Sequence, residues 1–148
     1  MEKTIALNRK AKHDYFLEEL YEAGIELTGT EIKSIRKGKV QFKDAYIDFV
    51  NGEAFIVDMH ISQYENGNIF NHDETRTRRL LLHKYEIRTL RKAVTVKGYT
   101  VIPTRMYLKN GLCKLEIALA KGKDLYDKRQ ALKEKDVQRE IAKAMKVR

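Results

Sequence analysis

The sequence of this 148-residue chain predicts a mainly β protein with a few helices, from two hairpin signals and one alternating strand. Asn51-Gly52 and Asn110-Gly111 each separate two runs that are rich in β-branched and aromatic residues. Asn-Gly favours a two-residue type I′ turn, because both positions require positive φ. After the second turn, residues 113–119 alternate apolar and polar side chains, so we expect one buried and one exposed face.

Three segments have the apolar spacing of helices. Residues 13–23 place apolar side chains about one turn apart, with Asp14 as a cap and Gly24 as a stop. Residues 30–38 follow a threonine cap, either Thr28 or Thr30. A third helix is predicted over residues 84–93, and short strands are predicted at 25–28 and 80–82.

Short strands joined by hairpins, with helices between them, favour a small OB-type antiparallel Greek-key β-barrel of five or six strands. About three helices would flank this barrel. A two-layer α+β domain would give a similar pattern. Pro103 cannot donate a ladder hydrogen bond, so we expect its strand to lie at an edge or to be bulged there.

The last fifth of the chain differs from the rest. Residues 121–148 contain ten Lys or Arg against five Asp or Glu, which is +5 of the total charge of +9. Their apolar residues share only a loose helical face. We therefore expect a folded β domain over residues 1–120 and a basic tail over 121–148 that is largely disordered when free.

The strongly basic composition predicts a polyanionic partner, either a nucleic acid or an anionic membrane surface. No apolar run approaches the ~20 residues of a membrane span. The N-terminus lacks the features of a secretory signal. Cys113 is the single cysteine, which excludes an internal disulfide and fits a reducing cytoplasm. It lies on the apolar face of the alternating strand, so we expect it to be a small core residue.

The sequence shows no catalytic arrangement. The four histidines have no paired metal-ligand spacing, and no glycine loop for phosphates is present. Asp58 and His60 lack a nearby nucleophile, as do the polar residues 71–74, so we interpret them as structural or surface groups. We expect a protein that is not an enzyme and needs no cofactor or metal.

Cationic residues form two groups that are candidates for phosphate contacts. Arg76, Arg78 and Arg79 precede a predicted core strand. Arginine offers a bidentate fork to phosphate, and lysine offers a point charge. The second group lies near the first two predicted helices and comprises Arg9, Lys10, Lys12, Lys33, Arg36, Lys37 and Lys39.

Several long strings resemble the bacterial SsrA-binding protein family, SmpB. They are "NRKAKHDY", "EAGIELTGTEIKSIRKGKV", "DMHISQYENGN", "FNHDETRTRRLLLHK", "KGYTVIPTRMYLKNG" and "ALAKGKDLYDKR". The similarity runs in order from Asn8 to Arg129, and a tail of similar length and composition follows.

The resemblance implies an OB-type barrel that binds the tRNA-like domain of transfer-messenger RNA and is needed for its stable association with stalled ribosomes. The protein would take the place of the anticodon arm in the decoding site of the small subunit. Its tail, helical when ribosome-bound, would occupy the empty mRNA channel. Elongation factor Tu would take part in the delivery complex, and the protein itself would catalyse no reaction.

The resemblance also implies roles for individual residues. Glu31, Leu81 and His83 match positions that are important for RNA binding. We expect Glu31 to be exposed at a helix start, where it accepts hydrogen bonds from nucleotides or orients Lys33. The residues implied at the decoding centre and in the mRNA channel are His13, Tyr15, Lys121, Gly122, Lys123, Tyr126, Asp127, Lys128 and Arg129.

Two rival hypotheses differ in what they bind or do. A generic single-strand-binding OB protein would rely on aromatic stacking, which the absence of Trp and the specific strings disfavour. An RNA-modifying enzyme is disfavoured by the missing catalytic group. In a binding competition, the predicted adaptor should prefer a structured tRNA-like RNA over poly-U, and a generic single-strand binder should prefer poly-U. An RNA-modifying enzyme would leave an altered nucleotide after incubation.

Overall fold

The computed structural model describes residues 2–65 and 71–123, which form nine strands and three helices. The strands are β1 (Glu2–Leu7), β2 (Tyr15–Ile25), β3 (Val40–Gln41), β4 (Tyr46–Val50), β5 (Glu53–Val57), β6 (His60–Ile61), β7 (Arg78–Leu81), β8 (Thr100–Lys109) and β9 (Leu112–Gly122). The helices are α1 (Arg9–Asp14), α2 (Gly29–Arg36) and α3 (Lys84–Lys97). None of the described helices is long and apolar enough to cross a membrane.

Seven strands form one antiparallel sheet in the order β1-β8-β9-β2-β7-β5-β4, and β3 pairs with β6 separately. The large sheet is open in its hydrogen bonding, but β4 packs against β8, so the sheet curls over the core. The mainly antiparallel β class with three helices is confirmed. The described strands outnumber the five or six expected, and the OB-type barrel topology stays a prediction.

Both hairpin predictions are confirmed. Asn51 and Gly52, with φ of 51° and 77°, connect β4 to β5, and Asn110 and Gly111, with φ of 52° and 82°, connect β8 to β9. Positive φ at both central positions is the requirement of the type I′ turn. Local turn chemistry therefore set the pairing of these four strands.

The predicted helix over residues 13–23 is wrong. Only α1 is helical in this region, and it ends at Asp14. The chain then continues as the long strand β2, which pairs with β9 on one side and with β7 on the other. Strand pairing across the sheet therefore overrides the local apolar spacing.

A β-bulge in β2 explains why this strand resembles a helix in sequence. Leu17 pairs with Ala120 and Leu20 pairs with Ala118, so β2 has one more residue than β9 between the two pairs. An extra residue changes the side-chain parity of a strand. Leu17 and Leu20, three residues apart, thus lie on the same face of the sheet, which is also the spacing of one helical turn.

The other two predicted helices are confirmed. Thr28 caps α2, because its side chain accepts a hydrogen bond from Glu31 N while the Glu31 carboxylate accepts one from Thr28 N at 2.8 Å. α3 continues four residues past the predicted end at residue 93 and stops before Gly98, whose φ is 73°. Glycine adopts this left-handed conformation without steric cost.

The predicted alternation holds in the first half of β9, where Lys114 and Glu116 are partly exposed, but both faces are buried at residues 118–120. Leu115 and Ile117 belong to the main core. Ala120, on the opposite face, packs in a smaller cluster with Ala11 of α1, and Ala118 is also fully buried. The expected exposure of Ala118 is therefore wrong, because neighbouring structure covers the second face toward the end of β9.

The region of Pro103 is bulged, as predicted. β8 lies between β1 and β9, and its register shifts between Pro103 and Arg105. The last strand, in contrast, does not end at Ala120 as expected, because β9 continues to Gly122.

Candidate nucleic-acid interface

Glu31 lies in the core and not on the surface. Its side chain is completely buried, and its carboxylate accepts hydrogen bonds from two arginines: 2.7 Å from Arg76 Nη2 and 2.7 Å from Arg78 Nε. The expectation of an exposed Glu31 that contacts nucleotides or orients Lys33 is therefore wrong. A carboxylate can be buried at this position because the guanidinium groups of Arg76 and Arg78 both donate hydrogen bonds to it. The role of Glu31 in the fold is therefore structural.

The environment of Glu31 favours its charged form. Burial alone raises the pKa of a carboxyl group, but hydrogen bonds from Arg76, the backbone of Thr28 and Arg78 outweigh it and lower the pKa of Glu31 from 4.5 to about 2. Glu31 thus remains ionised at neutral pH and holds α2 against β7.

The three predicted phosphate-binding arginines differ in availability. Arg78 is completely buried, where it also donates to Met59 O at 2.8 Å, so a direct phosphate contact by Arg78 is excluded. Arg76 uses both Nε and Nη2 on Glu31. Arg79 is partly exposed, but it pairs with Glu26 at 3.0 Å and Glu53 at 2.9 Å.

A second set of predicted residues does reach the surface. Leu81 is 48% exposed and lies at the end of β7, where it pairs with Gly24 of β2. Leu112, at the start of β9, is 62% exposed beside it. Arg36 of α2 and Lys114 of β9 contribute the cations of this concave region, which we call the Leu81 surface: Gly24, Leu27, Arg36, Leu81, Leu112 and Lys114.

Sequence reasoning missed Leu112 and Lys114. A signal for Leu112 was present in the sequence. Alternate residues from Cys113 onward face the core, so Leu112, one position earlier, is expected to face outward. Cys113 borders the Leu81 surface and is half-buried. Burial raises the pKa of its thiol to about 11, and the positive charge of Arg36 lowers the pKa by a smaller amount.

His83 lies two residues beyond Leu81, at the N-cap of α3. Its ring stacks on that of Tyr85, with centroids 5.6 Å apart and an angle of 13° between the planes. Tyr85 is 61% exposed. The pair offers a flat aromatic surface, which is the kind of group on which unpaired bases stack.

The predicted decoding-centre residues come together at the opposite end of β2. Tyr15 pairs with Gly122 at the start of β2, and Lys123 Nζ donates to Lys12 O at 2.8 Å. His13 is exposed and hydrogen-bonds Asp14. We call this group the α1 end: Arg9, Lys10, Lys12, His13, Tyr15 and residues 121–123.

Two cations of the α1 end, Lys121 and Lys123, lie on aromatic rings. Lys121 Nζ is 4.9 Å from the centroid of Tyr99, and Lys123 Nζ is 5.1 Å from that of Phe16. Cation–π contacts of this length contribute ~0.5–1 kcal/mol at exposed sites and so favour these positions of the two lysine side chains. The remaining predicted residues of this set, Tyr126, Asp127, Lys128 and Arg129, lie outside the described residues.

Polar residues 71–74, interpreted above as structural or surface groups, are structural in part. His72 is buried and bridges Thr30 Oγ1 at 2.8 Å to Ile61 O at 2.9 Å. Among the described residues, no group of three or more His, Cys, Asp or Glu side chains is arranged to hold a metal ion.

The fold and these surfaces define a basic antiparallel β protein whose exposed leucines and exposed cations suit an RNA partner. The SmpB family model, described as SmpB protein, matches residues 5–147. SsrA-binding proteins of Shouchella clausii and Clostridium tetani are 56% and 58% identical over 146 residues, covering 99% of this chain and 94% of each relative. That of Bacillus cereus strain AH820 is 59% identical over the same length and coverage.

A solved structure, described as "tmRNA-SmpB: a journey to the center of the bacterial ribosome", is similar with a TM-score of 0.68 and 45% identity. The match covers 80% of this chain and 83% of that one. The chain belongs to the SmpB family. This is a family of RNA-binding proteins and not of enzymes.

Proposed function

We propose that this protein binds transfer-messenger RNA through its Leu81 surface and presents its α1 end to the decoding centre of a stalled ribosome. The observation that carries the proposal is the separation of the two surfaces along one strand. β2 runs from Tyr15 at the α1 end to Gly24 and Ile25 beside Leu81. At about 3.3 Å per residue, and with the bulge of β2 between them, these ends lie up to roughly 30 Å apart.

This separation suits an adaptor. Pairing of β2 with β9 and β7 inside the seven-stranded sheet would hold the two surfaces at a defined distance from each other. The Leu81 surface would bind the tRNA-like domain, where exposed Leu81 and Leu112 contact bases or sugars and Arg36 contacts phosphate. His83 and Tyr85 would add stacking.

The α1 end would then stand where a tRNA's anticodon arm normally lies. Its cations Arg9, Lys10, Lys121 and Lys123 would face ribosomal RNA phosphates, and His13 and Tyr15 would face the decoding nucleotides. The basic tail would continue from Lys123 into the empty mRNA channel, with Tyr126 and residues 127–129 near its entrance. Elongation factor Tu would accompany the complex during delivery in the cytoplasm.

Competition binding tests the RNA half of the proposal. The labelled tRNA-like domain of transfer-messenger RNA should be displaced from the full chain by unlabelled tRNA-like RNA at far lower concentration than by poly-U. Equal displacement by both RNAs would instead support a generic single-strand binder, and the proposal would fail.

A tethered cleavage probe tests the ribosomal half. In a Cys113→Ala background, an iron chelate attached through His13→Cys should cleave small-subunit RNA at the decoding centre when the protein–RNA complex binds stalled ribosomes. The matched control is Val50→Cys, an exposed position of β4 whose strand partner, Glu53, pairs with Arg79 near the Leu81 surface. Equal decoding-centre cleavage from both positions would contradict the proposed orientation.

A further inference from the structure

Two lysines of α2 share one tyrosine ring that sequence reasoning did not single out. Lys33 lies within α2 and Lys37, four residues later, is its C-cap, and each Nζ lies 5.4 Å from the centroid of the Tyr64 ring. Both distances are within the ~6 Å range of cation–π attraction. The ring therefore attracts two ammonium groups that would otherwise repel each other.

Hydrogen bonds hold Tyr64 in place below the helix. The Asn71 side chain makes two hydrogen bonds to the backbone of Tyr64. Asn71 Oδ1 accepts from Tyr64 N at 2.9 Å, and Asn71 Nδ2 donates to Tyr64 O at 2.6 Å. Gln63 Nε2 donates to His72 O, and His72 in turn contacts Thr30 of α2. The position of the ring is thus coupled to the helix that carries the lysines.

The charges of Lys33 and Lys37 are available, unlike those of the nearby arginines. Both lysines are exposed, and neither has a carboxylate partner within 4.0 Å among the described residues. By contrast, Arg76 and Arg79 each pair with at least one Glu. Two such cations held side by side form a site for a polyanion.

We propose that Lys33, Lys37 and Tyr64 form a phosphate clamp for the RNA backbone, with Tyr64 as the positioning residue. At 100° per residue, the clamp lies on the flank of α2 next to the one that carries Arg36 of the Leu81 surface. An RNA strand bound at Arg36 would continue across α2 into the clamp. The inference rests on the proposed function, and it adds a second backbone contact to it.

The lysine pair is tested by the salt dependence of RNA affinity. The full chain with Lys33→Gln and Lys37→Gln should bind the tRNA-like domain more weakly, and its log–log salt slope should be flatter by about 0.7–0.9 for each phosphate that is no longer neutralised. The matched control is Lys92→Gln with Lys97→Gln on α3, which removes the same charge from another exposed face. Equal slopes for the two double variants would overturn the clamp.

Tyr64 is tested through its dependence on the lysines. Tyr64→Leu should weaken binding on the order of 2- to 5-fold, as expected from one exposed cation–π contact, whereas Tyr64→Phe keeps the ring and should bind like the wild type. In the Lys33→Gln, Lys37→Gln background, Tyr64→Leu should have no further effect. The same weakening in both backgrounds would show that Tyr64 acts only through the fold of its loop.

The wild-type chain distinguishes failure of the proposed function from failure of the clamp alone. If wild type shows no preference for the tRNA-like RNA over poly-U, the proposed function fails and the clamp with it. If wild type shows the preference while the lysine pair behaves like its α3 control, only the clamp fails. Melting temperatures of all variants, measured in parallel, identify any variant that is not folded, and the lysine pair remains informative if Tyr64→Leu unfolds.

Discussion

Glu31 and Arg78 form an ion pair with both side chains fully buried, and 2.7 Å separate Arg78 Nε from Glu31 Oε2. The pair joins the first turn of α2 to the start of β7, and Arg76 adds a second guanidinium group to the same carboxylate. Such a pair contributes little net stability against an apolar replacement of both partners, but removal of one partner leaves an uncompensated buried charge.

Replacement of Glu31 by glutamine should therefore destabilise the fold. We expect Glu31→Gln to lower the free energy of unfolding by roughly 3–5 kcal/mol, because Arg78 remains buried without its counter-charge. Urea denaturation of the full chain measures this decrease. The matched control is Glu53→Gln, which breaks the partly exposed pair with Arg79 and should have a much smaller effect. A Glu31→Gln protein as stable as the control would contradict the structural role assigned to Glu31.

Stability should also fall in acid because of Glu31. Its pKa is lowered from 4.5 to about 2 in the folded protein, so the unfolded chain binds a proton more readily. The stabilisation is then fully present above pH ~4.5 and is lost as the pH falls through that range toward ~2. Unfolding free energies between pH 6 and 2.5 should show a smaller slope for Glu31→Gln than for wild type, and parallel curves would argue against the assignment.

Leu81 should affect binding more than stability. Its side chain is 48% exposed, so Leu81→Ala should cost much less than the ~2–5 kcal/mol typical of a buried leucine. If the Leu81 side chain packs on RNA, Leu81→Ala removes apolar area that the complex would bury. At about 25 cal/mol per Å² of that area, affinity should fall roughly 5- to 10-fold. Val96→Ala on α3, where Val96 is 68% exposed, serves as the control. A melting curve beside a binding isotherm separates the two effects, and an unchanged isotherm would remove Leu81 from the interface.

Removal of the tail should separate RNA binding from ribosome rescue. Because β9 pairs with β2 as far as Gly122, the cut is best placed after Lys123 rather than after Ala120. The shortened chain should fold and bind the tRNA-like RNA, since the Leu81 surface remains, but it should fail to support tagging on stalled ribosomes.

Two full-length variants sharpen the tail experiment. Ile141→Pro, which costs ~3 kcal/mol or more within a helix, should reduce tagging while leaving RNA affinity unchanged. Replacement of Asp127, Lys128 and Arg129 together by alanine should give the same result. A decrease in RNA affinity as large as the decrease in tagging would place the tail in the RNA-binding surface.

Cys113 should react slowly in the folded protein. Burial raises the pKa of its thiol to about 11, so almost none is thiolate at pH ~8. A disulfide reagent such as Ellman's should label the native chain far more slowly than the chain in urea. Equal rates in the two conditions would show that the thiol is open to solvent and ionises normally.

Much of the local structure followed from the sequence because its causes are local. The two Asn-Gly turns, the Thr28 cap of α2 and the stop of α3 at Gly98 depend on residues within a few positions of each other. The extent of β2 did not follow, because a bulge against β9, about a hundred residues later, changed its parity. The buried role of Glu31 depends on Arg76 and Arg78, which lie 45 and 47 positions further along the chain.

The sequence by itself determined the class of the fold, the family and the basic character that points to RNA, since turn chemistry, strand alternation and charge are properties of short segments. Only the tertiary structure decided which of the charged residues are available. Arg78 and Lys33 are both cations in conspicuous basic runs, yet one is buried against Glu31 and the other is exposed beside Tyr64. Whether a cation is available to bind RNA depends on which counter-charges the folded chain brings within hydrogen-bonding distance of it. Those partners lie in strands and loops that are far away in sequence, so the sequence alone does not show them.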